Sequence, residues 1–507
     1  MRGLSKENKL IFNSVTGVLN RIVSLVFGMV FRKIFIMYLG ESLSGLTSLY
    51  SNILNFLNLA TVGLGVAAIH KIYLCNANEN YEEIQKIEKF TKIFFRGVTI
   101  VIFVVGMIFT LFLDKLIYNN AYDISFLRLV FLMQVLSECA VYWFTSKKVI
   151  LQACEKIYVI SIVEIVTNIV MYIAQIAIIV LTQNYLLYLI TLIVKYLIIG
   201  LSIHRITIKQ YPYLKESVSF EWKEMGYLFS DLKDTIFLQI STFVFISTDS
   251  LVLSKFLGLV MVNAYDNYMI ILNAVTSVVD EINAAIRATF GNKLAKNSGD
   301  KERIAFIQST TFIQYLLAAF CSSSLYCLMS PFIGLWLGEK FVLSNYMVLL
   351  FSVNFFVASL GSPLKNYMTI SGEFNRDKKV TFSSAIINLG LSIILAQKIG
   401  IAGAILGTLI GNALMLLERT VIFFKCLVGK GFADYIKNLL KYTICFIISM
   451  AFTKYACDML HLGNSILEFI LKMMICVVIP NMINVLLFHK RKEVKELLSL
   501  VNRKNHT

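Results

Sequence analysis

The chain has 507 residues, of which 57% are hydrophobic and only 15% are charged, and its formal net charge is +16. A soluble domain is about 45–50% apolar and about 25% charged, so this chain cannot cover its apolar surface by folding on itself. The composition excludes an ordinary soluble enzyme, a disordered chain and a disulfide scaffold. It predicts an all-α protein that crosses a membrane many times.

Runs of about 20 apolar residues, long enough to cross a bilayer as a helix, occur fourteen times along the chain. The first run carries Arg21 and is too long for a cleaved signal peptide. The fourteen predicted spans are 10–38, 43–70, 91–113, 122–146, 157–182, 184–203, 234–257, 262–286, 304–330, 342–364, 380–397, 400–424, 436–457 and 463–488.

The basic residues divide unequally between the two ends of these spans. With the N-terminus inside, 36 of the 47 Lys and Arg residues fall in cytoplasmic segments, five in outside loops and six within spans. This asymmetry follows the positive-inside rule and predicts that both termini are cytoplasmic. It also accounts for the net charge without a nucleic-acid partner. The outside loops are too short for a large catalytic loop, which argues against an enzyme.

A short pattern occurs twice, 218 residues apart. Residues 50–55 read Y-x-x-I-L-N, residues 268–273 read the same, and a Leu-Gly pair stands before each at 39–40 and 257–258. Because six spans lie between the copies, both enter the membrane in the same direction. The repeat therefore predicts two six-helix lobes related by an axis along the membrane normal, a plan that transporters use for alternating access.

The repeat also gives the expected domain boundaries. We place an N-terminal lobe of spans 1–6 at residues 1–205 and a cytoplasmic linker at 206–233. The C-terminal lobe of spans 7–12 follows at 234–426. Residues 427–507 hold an appended pair, spans 13 and 14, and a basic cytoplasmic tail.

Four basic residues within spans are candidate substrate-binding groups, because ionisable side chains in a membrane are costly and mark function. Arg21 and Arg32 lie on one stripe of the first span, Arg128 lies in the fourth and Lys195 in the sixth. An arginine stripe suits an anionic substrate, and phosphate in particular, because the guanidinium fork donates two parallel hydrogen bonds. The alternative for Arg32 and Arg128 is that they extend toward the membrane surface.

Two acidic residues are candidate ion-coupling groups, Asp249 in the seventh span and Glu138 in the fourth. Such a carboxylate can carry H+ or bind Na+, and the alternative for Asp249 is a static ion pair with an arginine of the first span. No G-x-x-x-x-G-K-[ST] and no H-E-x-x-H motif is present, so we expect no cofactor. The nine cysteines form no C-x-x-C pair, which argues against a metal site.

Several short motifs resemble the polysaccharide flippases of the Wzx type, in the multidrug/oligosaccharidyl-lipid/polysaccharide exporter superfamily. They include Gly63-x-Gly65 in the first hairpin, Thr248-Asp249 in the seventh span, Leu335-Trp336-Leu337-Gly338 after the ninth and Gly400-Ile401-Ala402-Gly403-Ala404 before the twelfth. The resemblance extends over all fourteen spans.

The resemblance implies a two-lobed fold with a V-shaped cavity in the bacterial cytoplasmic membrane. It implies a flippase for undecaprenyl-diphosphate-linked oligosaccharide in surface polysaccharide synthesis, with a polysaccharide polymerase as a partner. Lipid II flippases and cation-coupled multidrug exporters share the fold, so both stay open as alternatives. Drug exporters favour acidic cavities, whereas the first span of this chain is basic.

Overall fold

A computed structural model describes residues 6–57, 59–117, 122–216, 218–220, 226, 232–294, 299–460 and 465–489. Within these ranges the regular structure is helical. The chain forms two compact units, Met1–Phe243 with Leu253–Asn263, and Val244–Val252 with Ala264–Thr507. We call them unit 1 and unit 2. The predicted domain boundaries at 205, 234 and 427 stay a prediction.

Nine helices lie wholly in unit 1. They are α1 Lys6–Leu39, α2 Glu41–Leu57, α3 Leu59–Ala77, α4 Tyr81–Phe109, α5 Leu113–Leu116, α6 Ile124–Trp143, α7 Thr145–Ala153, α8 Ile157–Thr182 and α9 Tyr185–Gln210.

Two further helices contribute to both units, and six lie wholly in unit 2. The shared helices are α10 Leu232–Leu257 and α11 Leu259–Leu294. The six in unit 2 are α12 Asp300–Leu337, α13 Asn345–Ile370, α14 Phe374–Ile399, α15 Ile401–Val421, α16 Phe432–Asp458 and α17 Ser465–Phe488.

Twelve helices of the described chain are long and apolar enough to cross a membrane. They comprise α1, α4 with α5, α6 with α7, α8, α9, α10 and α12 to α17. The two other predicted spans correspond to α2 with α3 and to α11, which carries Asp266, Asp280 and Glu281. The chain is a multi-pass membrane protein, and the predicted all-α fold class is confirmed.

The two copies of the repeat have the same local structure. Gly40 separates α1 from α2 with φ +89°, and Gly258 separates α10 from α11 with φ +86°. Glycine adopts this left-handed conformation without the steric cost that a Cβ imposes. Tyr50 and Tyr268, ten residues after each glycine, are both fully buried.

An equivalent polar contact joins the two helices at each junction. In the first copy, Arg32 donates from Nη1 to Ser48 Oγ at 3.3 Å. In the second copy, Ser250 donates from Oγ to Asp266 Oδ1 at 3.5 Å. Both pairs are 16 residues apart, so the register of the paired helices is the same although the side chains differ in charge.

The appended helices α16 and α17 belong to the core of unit 2. The Tyr315 ring of α12 stacks on Tyr442 of α16 with centroids 4.6 Å apart, and Phe356 of α13 stacks on Phe446 at 3.9 Å. Tyr315 Oη also donates to Asn484 Oδ1 of α17 at 2.5 Å. Buried aromatic pairs of this kind contribute about 0.5–1.5 kcal/mol each beyond their area, so α16 and α17 are integral parts of the unit.

Candidate functional site

Helix α1 packs on α8 through a row of polar side chains. Asn13 Nδ2 donates to the Glu155 carbonyl at 2.9 Å, and Asn20 Nδ2 donates to Glu164 Oε2 at 2.9 Å. Residues 13, 20 and 24 share one helical face, and the predicted stripe that contains Arg21 and Arg32 runs along its edge. The sequence therefore places a polar track, rather than a purely apolar seam, in the interior of unit 1.

A cavity of about 220 Å³ opens at the middle of this track. It is formed by α1, α6, α7, α8 and α9 within unit 1. Its lining includes two lysines, one glutamate, one asparagine and two tyrosines. The lining residues are Ser24, Val141, Lys148, Glu164, Asn168, Tyr172, Lys195, Tyr196, Ile199 and Gly200.

Lys195 is the predicted substrate-binding residue that lies in this cavity. Its side chain is buried, and its Nζ lies 4.8 Å from the centroid of the Tyr172 ring and 5.6 Å from that of Tyr196. In the described part of the chain, no carboxylate oxygen lies within 4.0 Å of this ammonium group. A buried ammonium group that lies over aromatic faces retains its capacity to donate to an anion.

The cavity also contains an ion pair that the sequence did not reveal. Lys148 Nζ lies 2.9 Å from Glu164 Oε1, and the other carboxylate oxygen accepts from Asn20. Glu164 is thereby bonded on both oxygens by other groups, which leaves the charge of Lys195 without a bonded counter-ion. The lining carries two positive charges and one negative charge, so its balance is cationic.

The two arginines of α1 have different environments. Arg21 is exposed at the middle of the helix. Arg32 is half-buried, and besides Ser48 it donates from Nη2 to Asn263 Oδ1 at 3.2 Å. The 11 residues between the arginines correspond to about 16 Å along the helix. Arg32 thus connects α1 to α2 and α11 through its hydrogen bonds, whereas the Arg21 side chain is exposed.

The two predicted residues of α6 are not among the residues that line the cavity. Arg128 is exposed in the first turns of the helix, and Glu138 is half-buried ten residues later. Glu138 lies close enough to the Tyr196 hydroxyl to interact with it electrostatically. Their roles in substrate binding and ion coupling stay predictions.

Asp249 lies at the centre of a separate polar cluster in unit 2. The side chain is 1% exposed. Its Oδ2 accepts from Thr408 Oγ1 at 2.7 Å and from Tyr265 Oη at 3.0 Å, and its Oδ1 accepts from Ser392 Oγ at 3.3 Å. In the described part of unit 2 the partners of this carboxylate are hydroxyl groups, and its role in ion coupling stays a prediction.

The same cluster contains further oxygen ligands. Asn388 Oδ1 accepts from Ser392 Oγ at 3.0 Å and from Thr408 Oγ1 at 3.3 Å, and both hydroxyls also reach the Ala404 carbonyl at 3.3 Å. Carboxylate, carbonyl, amide and hydroxyl oxygens are the ligands that hard cations prefer. The donor set therefore fits H+ or a small hard cation such as Na+, with Asp249 supplying the negative charge.

A row of glycines on α15 brings these ligands together. Gly403, Gly407 and Gly411 are spaced four residues apart and face α14 or α10. A Cβ at Gly407 would lie 2.3 Å from Ser392 Oγ and 3.1 Å from the Asn388 carbonyl oxygen. Small residues at this spacing allow helix backbones to approach closely, and here the approach places Thr408 within reach of Asp249.

Sequence reasoning identified Asp249 and Lys195 but missed the residues around them. Thr408, Ser392 and Asn388 are isolated polar residues in apolar helices, and such residues are too common to single out. The G-x-x-x-G-x-x-x-G pattern at 403–411 is the signal that points to a tight helix pair at this position.

No protein-family model matches the chain, and no curated protein matches it in sequence. Solved structures do match its fold. The lipid II flippase MurJ in an inward closed conformation has 14% identity and a TM-score of 0.73, and the match covers 94% of this chain and 99% of MurJ. An inward-facing multidrug resistance MATE family transporter of the MOP superfamily has 14% identity and a TM-score of 0.65, over 78% and 92%.

A third structure shows that this fold accommodates pockets of different charge. A MOP superfamily transporter from Pyrococcus furiosus, described as having a binding pocket of reverse polarity, has 12% identity and a TM-score of 0.57, over 82% of this chain and 94% of that one. These neighbours are transporters. The chain has the fold of the MOP superfamily transporters, with a cationic cavity in unit 1 and a buried carboxylate cluster in unit 2.

Proposed function

We propose that this protein is a flippase that moves undecaprenyl-diphosphate-linked oligosaccharide across the bacterial cytoplasmic membrane by alternating access. It would serve the synthesis of a surface polysaccharide, such as capsule, O-antigen or exopolysaccharide, upstream of a polymerase. Both termini would lie in the cytoplasm, and the polyprenyl tail would remain in the lipid while the headgroup passes.

The observation that carries this proposal is the buried ammonium of Lys195. It lines a cavity and lies over two aromatic rings, and the Glu164 carboxylate that interacts with it electrostatically is already bonded by Lys148 and Asn20. A diphosphate supplies the missing negative charge. Arg21, exposed on the adjacent stripe of α1, would provide a second cation, and Arg32 and Arg128 complete the proposed basic set.

The size of the cavity agrees with binding part of a ligand. Drug-sized ligands occupy pockets of about 300–1,000 Å³, whereas this cavity has about 220 Å³. A phosphate-sized group fits such a space, with the sugar and the lipid tail outside it. A cationic drug would meet the positive charge of Lys195, which disfavours the multidrug exporter.

Ion coupling is assigned to Asp249, with Glu138 as the second candidate. The oxygen cluster around Asp249 would bind Na+ or H+, and the membrane potential supplies about 2.3 kcal/mol for each charge moved through 100 mV. This coupling would drive the return of the protein to its substrate-accepting state.

The second candidate function is a lipid II flippase, because a structure of such a protein shares this fold over nearly the whole chain. Lipid II and the proposed substrate are both prenyl diphosphates, so the same cationic cavity suits either. A lipid II flippase is required for growth itself. A polysaccharide flippase is required only for the surface polymer.

Deletion in the native bacterium tests the proposed function. We expect loss of surface polysaccharide, together with accumulation of intact lipid-linked oligosaccharide on the cytoplasmic side and normal growth. Arrest of growth with accumulated lipid II would favour the second candidate. Normal polysaccharide with altered sensitivity to cationic dyes would contradict the proposal.

Replacement of Lys195 by methionine tests the substrate contact. Methionine preserves the apolar stem and removes the charge, and a hydrogen bond to a charged group contributes about 1.5–3 kcal/mol. We therefore expect translocation of the lipid-linked oligosaccharide to fall by about 10- to 100-fold, measured in the deletion strain as polysaccharide output per unit of membrane-inserted protein.

Two further variants serve as controls for this measurement. Lys195→Arg keeps the cation and should retain most of the activity. Lys472→Met removes a lysine of α17 that pairs with Glu468 at 2.6 Å, far from the cavity in sequence and in the other unit, and should leave translocation unchanged. Equal loss in Lys195→Met and Lys472→Met would show that the effect is not specific to the cavity.

A further inference from the structure

Three cysteines from three helices meet in the interior of unit 2. Cys327 of α12, Cys457 of α16 and Cys476 of α17 are each at most 3% exposed. Their sulfur atoms all lie within 4.8 Å of one another, and Cys457 Sγ and Cys476 Sγ are 3.9 Å apart. The residues are distant in sequence, so their spacing gives no C-x-x-C signal and the cluster exists only through the tertiary fold.

The sulfur separations match a planar three-coordinate metal site. A metal–thiolate bond is about 2.3 Å long, so three sulfurs around one ion in a plane lie about 4.0 Å apart. The Cys457–Cys476 separation already has this value. The remaining separations, up to 4.8 Å, need only small side-chain rotations to reach it.

We propose that Cys327, Cys457 and Cys476 bind one Cu(I) ion through their three sulfur atoms. Soft thiolate ligands select Cu(I) and Zn(II) among the common ions, but structural zinc almost always takes four ligands. Here Leu328 and Ile475 pack against the three cysteines. In the described chain no fourth cysteine, histidine or carboxylate joins the cluster. Three soft ligands without a fourth suit Cu(I).

Binding of Cu(I) to the three sulfur atoms displaces the thiol protons. Three thiolates and one Cu(I) ion leave a net negative charge on the site.

The site would fasten the appended helices to the rest of unit 2. It draws one ligand from each of α12, α16 and α17, and an ion bound to all three stabilises the folded arrangement because the unfolded chain offers no preformed site. Copper would thus hold these three helices together, and this structural role would not depend on the transported substrate or on the cation at Asp249.

Competition for Cu(I) tests this site. The full-length protein is purified, fully reduced and kept under nitrogen, and the coloured Cu(I)–bicinchoninate complex is titrated with it. We expect one Cu(I) per chain. Each of Cys327→Ser, Cys457→Ser and Cys476→Ser should weaken binding by more than about 100-fold, beyond the 10- to 100-fold that loss of a supporting residue around a metal ligand costs.

Cys426→Ser provides the matched control, because Cys426 is an exposed cysteine outside the cluster. Its Cu(I) affinity should equal that of the unmodified protein. If a serine variant elutes as an aggregate, X-ray absorption spectroscopy of the copper complex of the unmodified protein identifies the ligands directly. We expect three sulfur atoms at about 2.3 Å from the copper ion.

Four outcomes would overturn the assignment. The first is failure of the unmodified protein to take Cu(I) from bicinchoninate. The second is an absorption spectrum with oxygen or nitrogen ligands, and the third is tighter binding of Zn(II) than of Cu(I). The fourth is recovery of Cys457 and Cys476 as a disulfide from membranes treated at once with an alkylating agent, which would make the cluster a covalent link instead.

Discussion

Replacement of Asp249 by asparagine is expected to reduce ion-coupled transport to the background of membranes that lack the protein. Asparagine keeps the size of the side chain and an oxygen that accepts from Thr408 and Tyr265. It removes the one negative charge in a cluster whose other ligands are neutral. Without this charge the neutral ligands attract a cation much less strongly, and an amide does not take up a proton near neutral pH, so both Na+ binding and protonation should be lost.

The measurement uses purified protein and radioactive sodium, followed by transport in liposomes with a sodium gradient or a proton gradient. Loss of sodium binding in Asp249→Asn would identify Na+ as the coupling ion. Transport that responds only to the proton gradient, and only in the unmodified protein, would identify H+. Full coupling in the variant under both gradients would remove Asp249 from the mechanism.

Asp458→Asn is the matched control for this experiment. Asp458 also lies on a membrane helix, but its side chain is about half exposed and pairs with Lys454 one turn away. An exposed pair of this kind contributes about 0–1 kcal/mol. The variant should retain both ion binding and transport, so a deficit in Asp249→Asn can be attributed to the cluster.

Replacement of Gly403 by alanine should destabilise unit 2 more than an alanine at any glycine with open space around it. The new Cβ would lie 2.2 Å from the Leu395 carbonyl carbon and 2.3 Å from its oxygen. These are backbone atoms that cannot rotate away, so α14 and α15 must separate. Overpacking of this kind costs about 1–3 kcal/mol or more, and separation also withdraws Thr408 from Asp249.

Gly390→Ala on α14 is the control, because a Cβ at Gly390 meets no atom within 4 Å. Thermal unfolding in detergent should show a lower midpoint for Gly403→Ala and an unchanged or slightly higher one for Gly390→Ala, since alanine favours the helix. Sodium binding should fall with Gly403→Ala alone. Equal midpoints for the two variants would show that the helix pair tolerates a wider spacing.

The sequence predicted the helices better than their contacts. Apolar runs and the positions of Lys and Arg define the spans, because membrane insertion and orientation depend on residues that are close together in the sequence. Asp249 was predicted because a lone carboxylate in an apolar run is costly wherever it lies. Thr408 and Ser392 are neutral, and only the close approach of α14 and α15 gives them a role.

The arginines of α1 illustrate the same limit. Helical periodicity places Arg21 and Arg32 on one stripe, but it does not reveal that Asn263, more than 200 residues later, accepts from Arg32. Lys195 could be expected in the interior from its flanking aliphatic residues. Its contact with the Tyr172 ring depends on α8 and α9 packing side by side, which no local pattern specifies.

The equivalent helix junctions bear on how such a molecule arose. Position 32 is an arginine in the first copy and its counterpart Ser250 is neutral, whereas Ser48 in the first copy corresponds to Asp266 in the second. An assembly of two identical halves would carry the same charge at both junctions. A single chain with two similar halves is free of this constraint, so it can place a cation at one junction and a carboxylate at the other.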